Sequence, residues 1–222
     1  MMLFYAVNSI KNGTLNLFWF RNHKKMQAFV NTYIKMFFLL APFFTMTLFL
    51  KLAEGMDSTA RQRAAIRSSV TILVAITAFF FFGRPLFNLL GITLAAFQIG
   101  AGTTLFLTSV MLVLGISKPP TCDPNEDFSV VPLGVPIIVG PGTIGTLMLW
   151  GTELTGFSER MIAYLAIFSA GATVSLFLLM AERIEQLLGP KVLAMMTKLT
   201  ALILTALAAQ IVFTGIKSFM AT

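Results

Sequence analysis

The chain has little charge, one cysteine and one histidine. Charged residues make up 11% of its 222 positions, less than half the roughly 25% of an ordinary soluble domain. So few polar groups cannot cover a surface that faces water. A soluble globular domain, a disordered chain and a nucleic-acid binder are therefore disfavoured, despite a net charge of +7. The lone cysteine, Cys122, rules out an internal disulfide and a four-thiolate metal site, and the lone histidine, His23, rules out a histidine cluster. The acids are Glu54, Asp57, Asp123, Glu126, Asp127, Glu153, Glu159, Glu182 and Glu185, all in polar connections or at the ends of apolar runs. A proton relay through a bilayer usually uses an intramembrane carboxylate or histidine, and this sequence offers neither. The same lack argues against an intramembrane metalloprotease or aspartyl protease. A serine–histidine hydrolase fails as well, because His23 precedes every apolar run. The expectation is a protein that is not an enzyme and needs no cofactor or metal.

What the chain has instead is apolar length. Hydrophobic residues make up 57%, with 22 Phe and 13 Met, and the mean hydropathy is +0.85. A bilayer-crossing helix needs about 20 mainly apolar residues. Six such runs occur: Tyr33–Leu50, Val70–Phe87, Ile92–Ile116, Val130–Trp150, Met161–Ala181 and Leu199–Ile216. They are continuously apolar, without the alternation of a transmembrane barrel strand, so each is expected to be a helix. The connections Lys51–Arg67, Ser117–Phe128, Thr152–Arg160 and Glu182–Lys198 are polar. Asp57-Ser58-Thr59 offers capping side chains, and Gly189-Pro190 marks helix ends. Residues 1–28 carry only a short apolar run, Leu15–Phe20, and are expected to be interfacial or disordered. Apart from that segment, lysine and arginine are denser in the connections after the first, third and fifth spans. The positive-inside tendency then places both termini outside.

The two halves of the chain resemble each other. Leu89-Leu90-Gly91 follows the second span and Leu187-Leu188-Gly189 follows the fifth, 98 residues later. Ala41-Pro42-Phe43 lies in the first span and Gly140-Pro141-Gly142 in the fourth, 99 residues later. Three spans is an odd number, so two such repeats enter the bilayer in opposite orientations, the plan of many secondary transporters. The expected fold is an all-α integral membrane protein. Its six transmembrane helices form two inverted three-helix repeats, residues 29–116 and 130–217, joined by a loop at 117–129, with helices one and four broken by proline and glycine.

The breaks are where chemistry could sit. Pro132, Gly134, Pro136, Gly140, Pro141, Gly142 and Gly145 crowd one stretch of the fourth span, which is hard to reconcile with a continuous helix. A half-helix starting after Pro141 would present free amides and a positive dipole end, suited to a carboxylate. Pro42 alone reads as a kink. In the third span, Gln98 is costly in lipid unless it faces a partner or cavity. The hydroxyls Thr103, Thr104, Thr108 and Ser109 could meet a ligand or a neighbouring helix, and Gly100 and Gly102 suit close helix packing. Cys122 is read as incidental.

Val131-Pro132-Leu133-Gly134-Val135-Pro136-Ile137-Ile138-Val139-Gly140-Pro141-Gly142-Thr143-Ile144, with the proline-broken first span, Gly91-Ile92-Thr93-Leu94 and Phe97-Gln98-Ile99-Gly100-Ala101-Gly102, resembles the MarC family. These are six-span inner-membrane proteins of bacteria and archaea, and they include transporters of small neutral amino acids. The resemblance covers about residues 30–218. It departs where the family usually has Asn-Pro, Gly and a second Pro in the first span, because Ala41-Pro42, Phe44 and Thr47 stand there. In the third span, Ala95, Gln98 and Ala101-Gly102 replace the usual Pro, Arg and Gly pair. The resemblance implies a multi-pass inner-membrane transporter of alanine, glycine or serine working by alternating access. It implies Pro42, Gly140, Pro141 and Gly142 as substrate-binding elements, joined by Gln98, Gly102 and Thr143. The expected partners are a neutral amino acid and the lipid bilayer, not nucleic acid, and a homo-oligomer is compatible with the sequence. The alternative is a membrane scaffold or assembly partner whose site has decayed.

Overall fold

The computed structural model describes residues 25–116, 139–154 and 156–220, and every described element is a helix. Residues 1–24, the 117–129 connection with Cys122, and the first part of the fourth span with Pro132, Gly134 and Pro136 lie outside the described residues. The helices are α1 (residues 25–39), α2 (Pro42–Leu52), α3 (Ser58–Leu90), α4 (Leu94–Leu114), α5 (Pro141–Glu153), α6 (Phe157–Leu179) and α7 (Ala181–Met220).

Local chemistry fixes most of the ends. Asp57 caps α3 by accepting from the Ala60 amide at 3.0 Å, and Thr93 caps α4 by accepting from the Ala96 amide at 3.2 Å. Gly91 ends α3 at φ 63, a left-handed conformation that glycine adopts without steric cost. Gly189 interrupts α7 at φ 76, ψ 158. The following Pro190 disfavours helical geometry at that position. The paired Leu-Leu-Gly elements thus both end helical runs.

Several boundaries differ from expectation. Residues 25–28, assigned to the N-terminal segment, already belong to α1. The charged stretch before Val70 is helical from Ser58, because Asp57 starts the helix well ahead of the apolar run. Likewise α6 starts at Phe157, ahead of Met161, and the Glu182–Lys198 link is helical except at Gly189. Charged first turns extend these helices beyond their apolar spans.

Among the described residues, five helical stretches are long and apolar enough to cross a bilayer, counting 25–52 as one. The fourth expected span contributes only the 13 residues of α5. Within the apolar spans, Val74, Leu165 and Phe213 are 62%, 56% and 71% exposed. Such side chains facing outward on several helices suit contact with lipid, not water. No charged side chain is among the described buried polar groups.

The buried core draws on α1, α2, α3, α5, α6 and α7, and the helices pack in antiparallel pairs. Along α3 and α6, Gly171 lies against Ile76 and Leu73 while Tyr164 bonds Thr77 at 3.2 Å, so numbering rises on one helix as it falls on the other. Along α4 and α7, Gly215 meets Gln98 and Gly102 meets Val212, again antiparallel. The Thr205 hydroxyl donates to Ser109 at 3.1 Å further along that seam. Helix α2 packs on α7, and α5 packs on α4.

Candidate functional site

The first span breaks at Leu40-Ala41. Ala41 sits at φ 44, ψ 62, the one described non-glycine residue with positive φ. A left-handed alanine costs roughly 1–2 kcal/mol, so the surrounding packing must hold this break in place. Pro42 follows as the first residue of α2, where its missing N–H is harmless. The fourth span restarts in the same way: Gly140 precedes α5 and Pro141 opens it. Neither break has a side-chain cap. The first-turn amides of both helices therefore lack an intrahelical partner. One turn on, the two helices match again. The Thr47 hydroxyl donates to the Phe43 carbonyl at 2.8 Å, and the Thr146 hydroxyl donates to the Gly142 carbonyl at 2.9 Å.

The two breaks touch. Thr143, buried in the first turn of α5, donates its hydroxyl to the Leu39 carbonyl at the end of α1, at 3.3 Å. The Leu40 carbonyl accepts from the Thr45 hydroxyl at 2.9 Å. The Leu39 and Leu40 carbonyls beside the first break are thus both taken by protein hydroxyls. Gly142 is closed in as well, because a Cβ there would meet Leu105 of α4 at 2.5 Å.

Beside the breaks lies an open cleft of about 130 Å³ between α1, α4, α5 and α7. Lys35, Gln98, Thr146, Gln210 and Thr214 supply its polar lining, and Trp150 and Leu39 are part of its apolar wall. Gln98 is only 4% exposed. Its amide has no hydrogen-bond partner among the described residues, so the cleft is where that polar group is directed.

Of the expected site residues, the structure brings Pro42, Gly140, Pro141, Gly142 and Thr143 to the breaks, and Gln98 to the cleft. Gly102 does not line the cleft but lies one turn from Gln98, where it lets α7 approach at Val212 and at Ile211 of the cleft wall. The third-span hydroxyls Thr103, Thr104 and Thr108 are exposed and donate to their own carbonyls four residues back. They face outward because the small residues of α4 turn the opposite side toward α5 and α7. Lys35 and Thr146 were not singled out as site residues. A cation inside an otherwise apolar span is a functional signal, and Lys35 carried it in the sequence.

Family comparison agrees with this arrangement of apolar helices. The family model described as "MarC family integral membrane protein" matches residues 26–220. The chain belongs to the MarC family. A UPF0056 membrane protein of Methanocaldococcus jannaschii is 28% identical over 86% of this chain and 97% of its own length. A second, of Pyrococcus abyssi, is 28% identical over 86% of this chain and 96% of its own. The UPF0056 membrane protein YvbG of Bacillus subtilis is 27% identical over 85% and 93% respectively. No solved structure matches the chain. The matched range begins at the start of α1 and ends with α7, so it includes both breaks and the cleft.

Proposed function

We propose that this MarC-family protein is a secondary transporter of small neutral amino acids such as alanine, glycine and serine, and that the substrate occupies the cleft beside the two breaks. The observation that carries the proposal is the meeting of two uncapped, proline-started half-helices at the Thr143–Leu39 bond, beside a cleft lined by a buried glutamine that has no hydrogen-bond partner among the described residues. Broken helices that meet at a repeat interface are the usual setting of a transporter site. The antiparallel pairs α3 with α6 and α4 with α7 support an inverted-repeat design. So does the spacing of Pro42 from Pro141 and of Thr47 from Thr146. In that design the two three-helix repeats rock about the Thr143–Leu39 junction.

Size favours a small substrate. A cavity of about 150 Å³ holds benzene, which has six non-hydrogen atoms. The cleft's volume of about 130 Å³ is room enough for alanine, which also has six, though the cleft is open on one side. Tight packing around Gly142 and Gly102 favours the alternative of a non-transporting scaffold, while the cleft with its free amide favours transport.

Counterflow tests the proposal. Liposomes loaded with unlabelled alanine should accumulate labelled alanine, glycine and serine saturably, and Gln98→Leu should reduce that accumulation severalfold. Absence of exchange by oriented, monodisperse protein would favour the scaffold.

A further inference from the structure

We propose that the cleft reads the carboxylate of its ligand through Lys35 and Gln98, so that a short monocarboxylate binds it nearly as well as the matching amino acid. This rests on the cleft's being the substrate site.

The lining chemistry is one-sided. Among the described residues, Lys35 is the only charged one that lines the cleft, and none of the described carboxylates lines it. An incoming anion therefore finds one full opposite charge, and an incoming ammonium group finds none. Gln98 adds amide donors from a residue that is 4% exposed and has no partner among the described residues. Gln210, one helix away on the same cleft, carries a second amide. The hydroxyl protons of Thr146 and Thr214 are committed to the carbonyls of Gly142 and Gln210, at 2.9 and 2.8 Å. Those oxygens offer an ammonium group only neutral lone pairs. The carboxylate and Lys35 attract as two full charges, whereas an ammonium group would meet only dipoles among the described lining residues, so the carboxylate end dominates recognition.

The α5 start had been expected to take the carboxylate, but Gly142 is packed against Leu105 and Thr143 is engaged with Leu39. The cleft begins one turn further along the same helix, at Thr146. The carboxylate site therefore moves from the helix end to the lysine and amide facing it.

Trp150 provides the readout, since it lines the cleft and the chain has only one other tryptophan, Trp19. In a Trp19→Phe background, the protein is placed in nanodiscs of phosphatidylcholine, a lipid without net charge that adds no anionic headgroup. Trp150 emission is then titrated with alanine, propionate and alaninamide. Alanine and propionate should perturb it with affinities within about threefold of each other, and alaninamide should bind about tenfold or more weakly, one charge-assisted contact being worth about that factor. Lys35→Gln, a change at an exposed position, should abolish the preference. Alaninamide binding as tightly as alanine would overturn the proposal. So would a preference that survives in Lys35→Gln, or a Trp150 signal that no ligand moves. Alanine counterflow in the same preparations separates the two ideas. Exchange without a carboxylate preference removes this inference and leaves transport standing. Carboxylate binding without exchange removes transport and leaves the inference.

Discussion

One substitution, glycine to alanine, should change stability in opposite directions at two helical positions. In α4, Gly100 is exposed, and a Cβ built on it meets nothing within 4 Å. In α5, Gly151 is buried, and a Cβ built on it falls inside contact distance of the Phe80 carbonyl oxygen and 3.1 Å from its carbon. Alanine gains about 0.8–1 kcal/mol over glycine in a helix interior; that gain applies at Gly100 and at most in part at Gly151, in the last turn of α5. At Gly100 nothing opposes it. At Gly151 the obstacle is backbone of α3, which cannot rotate aside as a side chain can, so α3 and α5 must separate. Overpacking of this kind costs about 1–3 kcal/mol, and a backbone obstacle belongs at the upper end, leaving a net loss of about 1–2 kcal/mol. For a chain of this size, 1 kcal/mol moves a thermal midpoint by about 2–4 °C. Gly100→Ala should therefore melt about 2–4 °C higher, and Gly151→Ala about 2–8 °C lower. Tryptophan fluorescence of purified protein in detergent reads both. A Gly151→Ala variant as stable as the parent, or more so, would show that α3 and α5 do not approach as described and would refute the reasoning.

Two further perturbations follow from the polar contacts. Thr143→Val keeps the side-chain shape but leaves the Leu39 carbonyl without its hydroxyl donor. Because the bond is long, at 3.3 Å, a loss near 1 kcal/mol is expected. Thr143→Ser should keep most of it, and a valine variant as stable as the serine one would count against the junction between the breaks. Arg61 pairs with Glu182 at 3.2 Å with side chains 26% and 53% exposed, so Glu182→Gln should cost less than about 1 kcal/mol, and less again in high salt. Arg61→Ala should cost more, because Arg61 also reaches the Ala53 and Met56 carbonyls and lies partly buried. Equal melting losses for the two variants would contradict that ranking.

The spans were legible because lipid demands long apolar runs, and the start of α3 was legible because Asp57 is a capping residue. The break before α5 was legible for a similar reason, since proline cannot continue a helix without losing a hydrogen bond; Pro42 by itself read as a kink, and the left-handed Ala41 beside it left no sequence signal. Helix ends reaching beyond apolar runs were harder to place. Nothing in the composition of Glu182–Lys198 separates a polar loop from the polar first turns of α7. The site was only partly legible. Gln98 stood out as an amide in an apolar run, but which way a helix faces is set by its neighbours. The outward-turned Thr103, Thr104 and Thr108 and the packed Gly102 could be told from site residues only once α4 was seated against α5 and α7. Lys35 was legible as a cation. Its place at the cleft depends on α1 lying beside α7, which no local pattern records.

If the cleft beside the breaks is the path of the substrate, a thiol placed on its wall will be reachable from one side of the membrane and shielded by substrate. In a Cys122→Ser background, Thr146→Cys places one thiol on the cleft wall. A membrane-impermeant thiol reagent should modify it from one face of sealed vesicles, and alanine should slow that modification. Reaction from neither face, or reaction that alanine leaves unchanged, would contradict the claim.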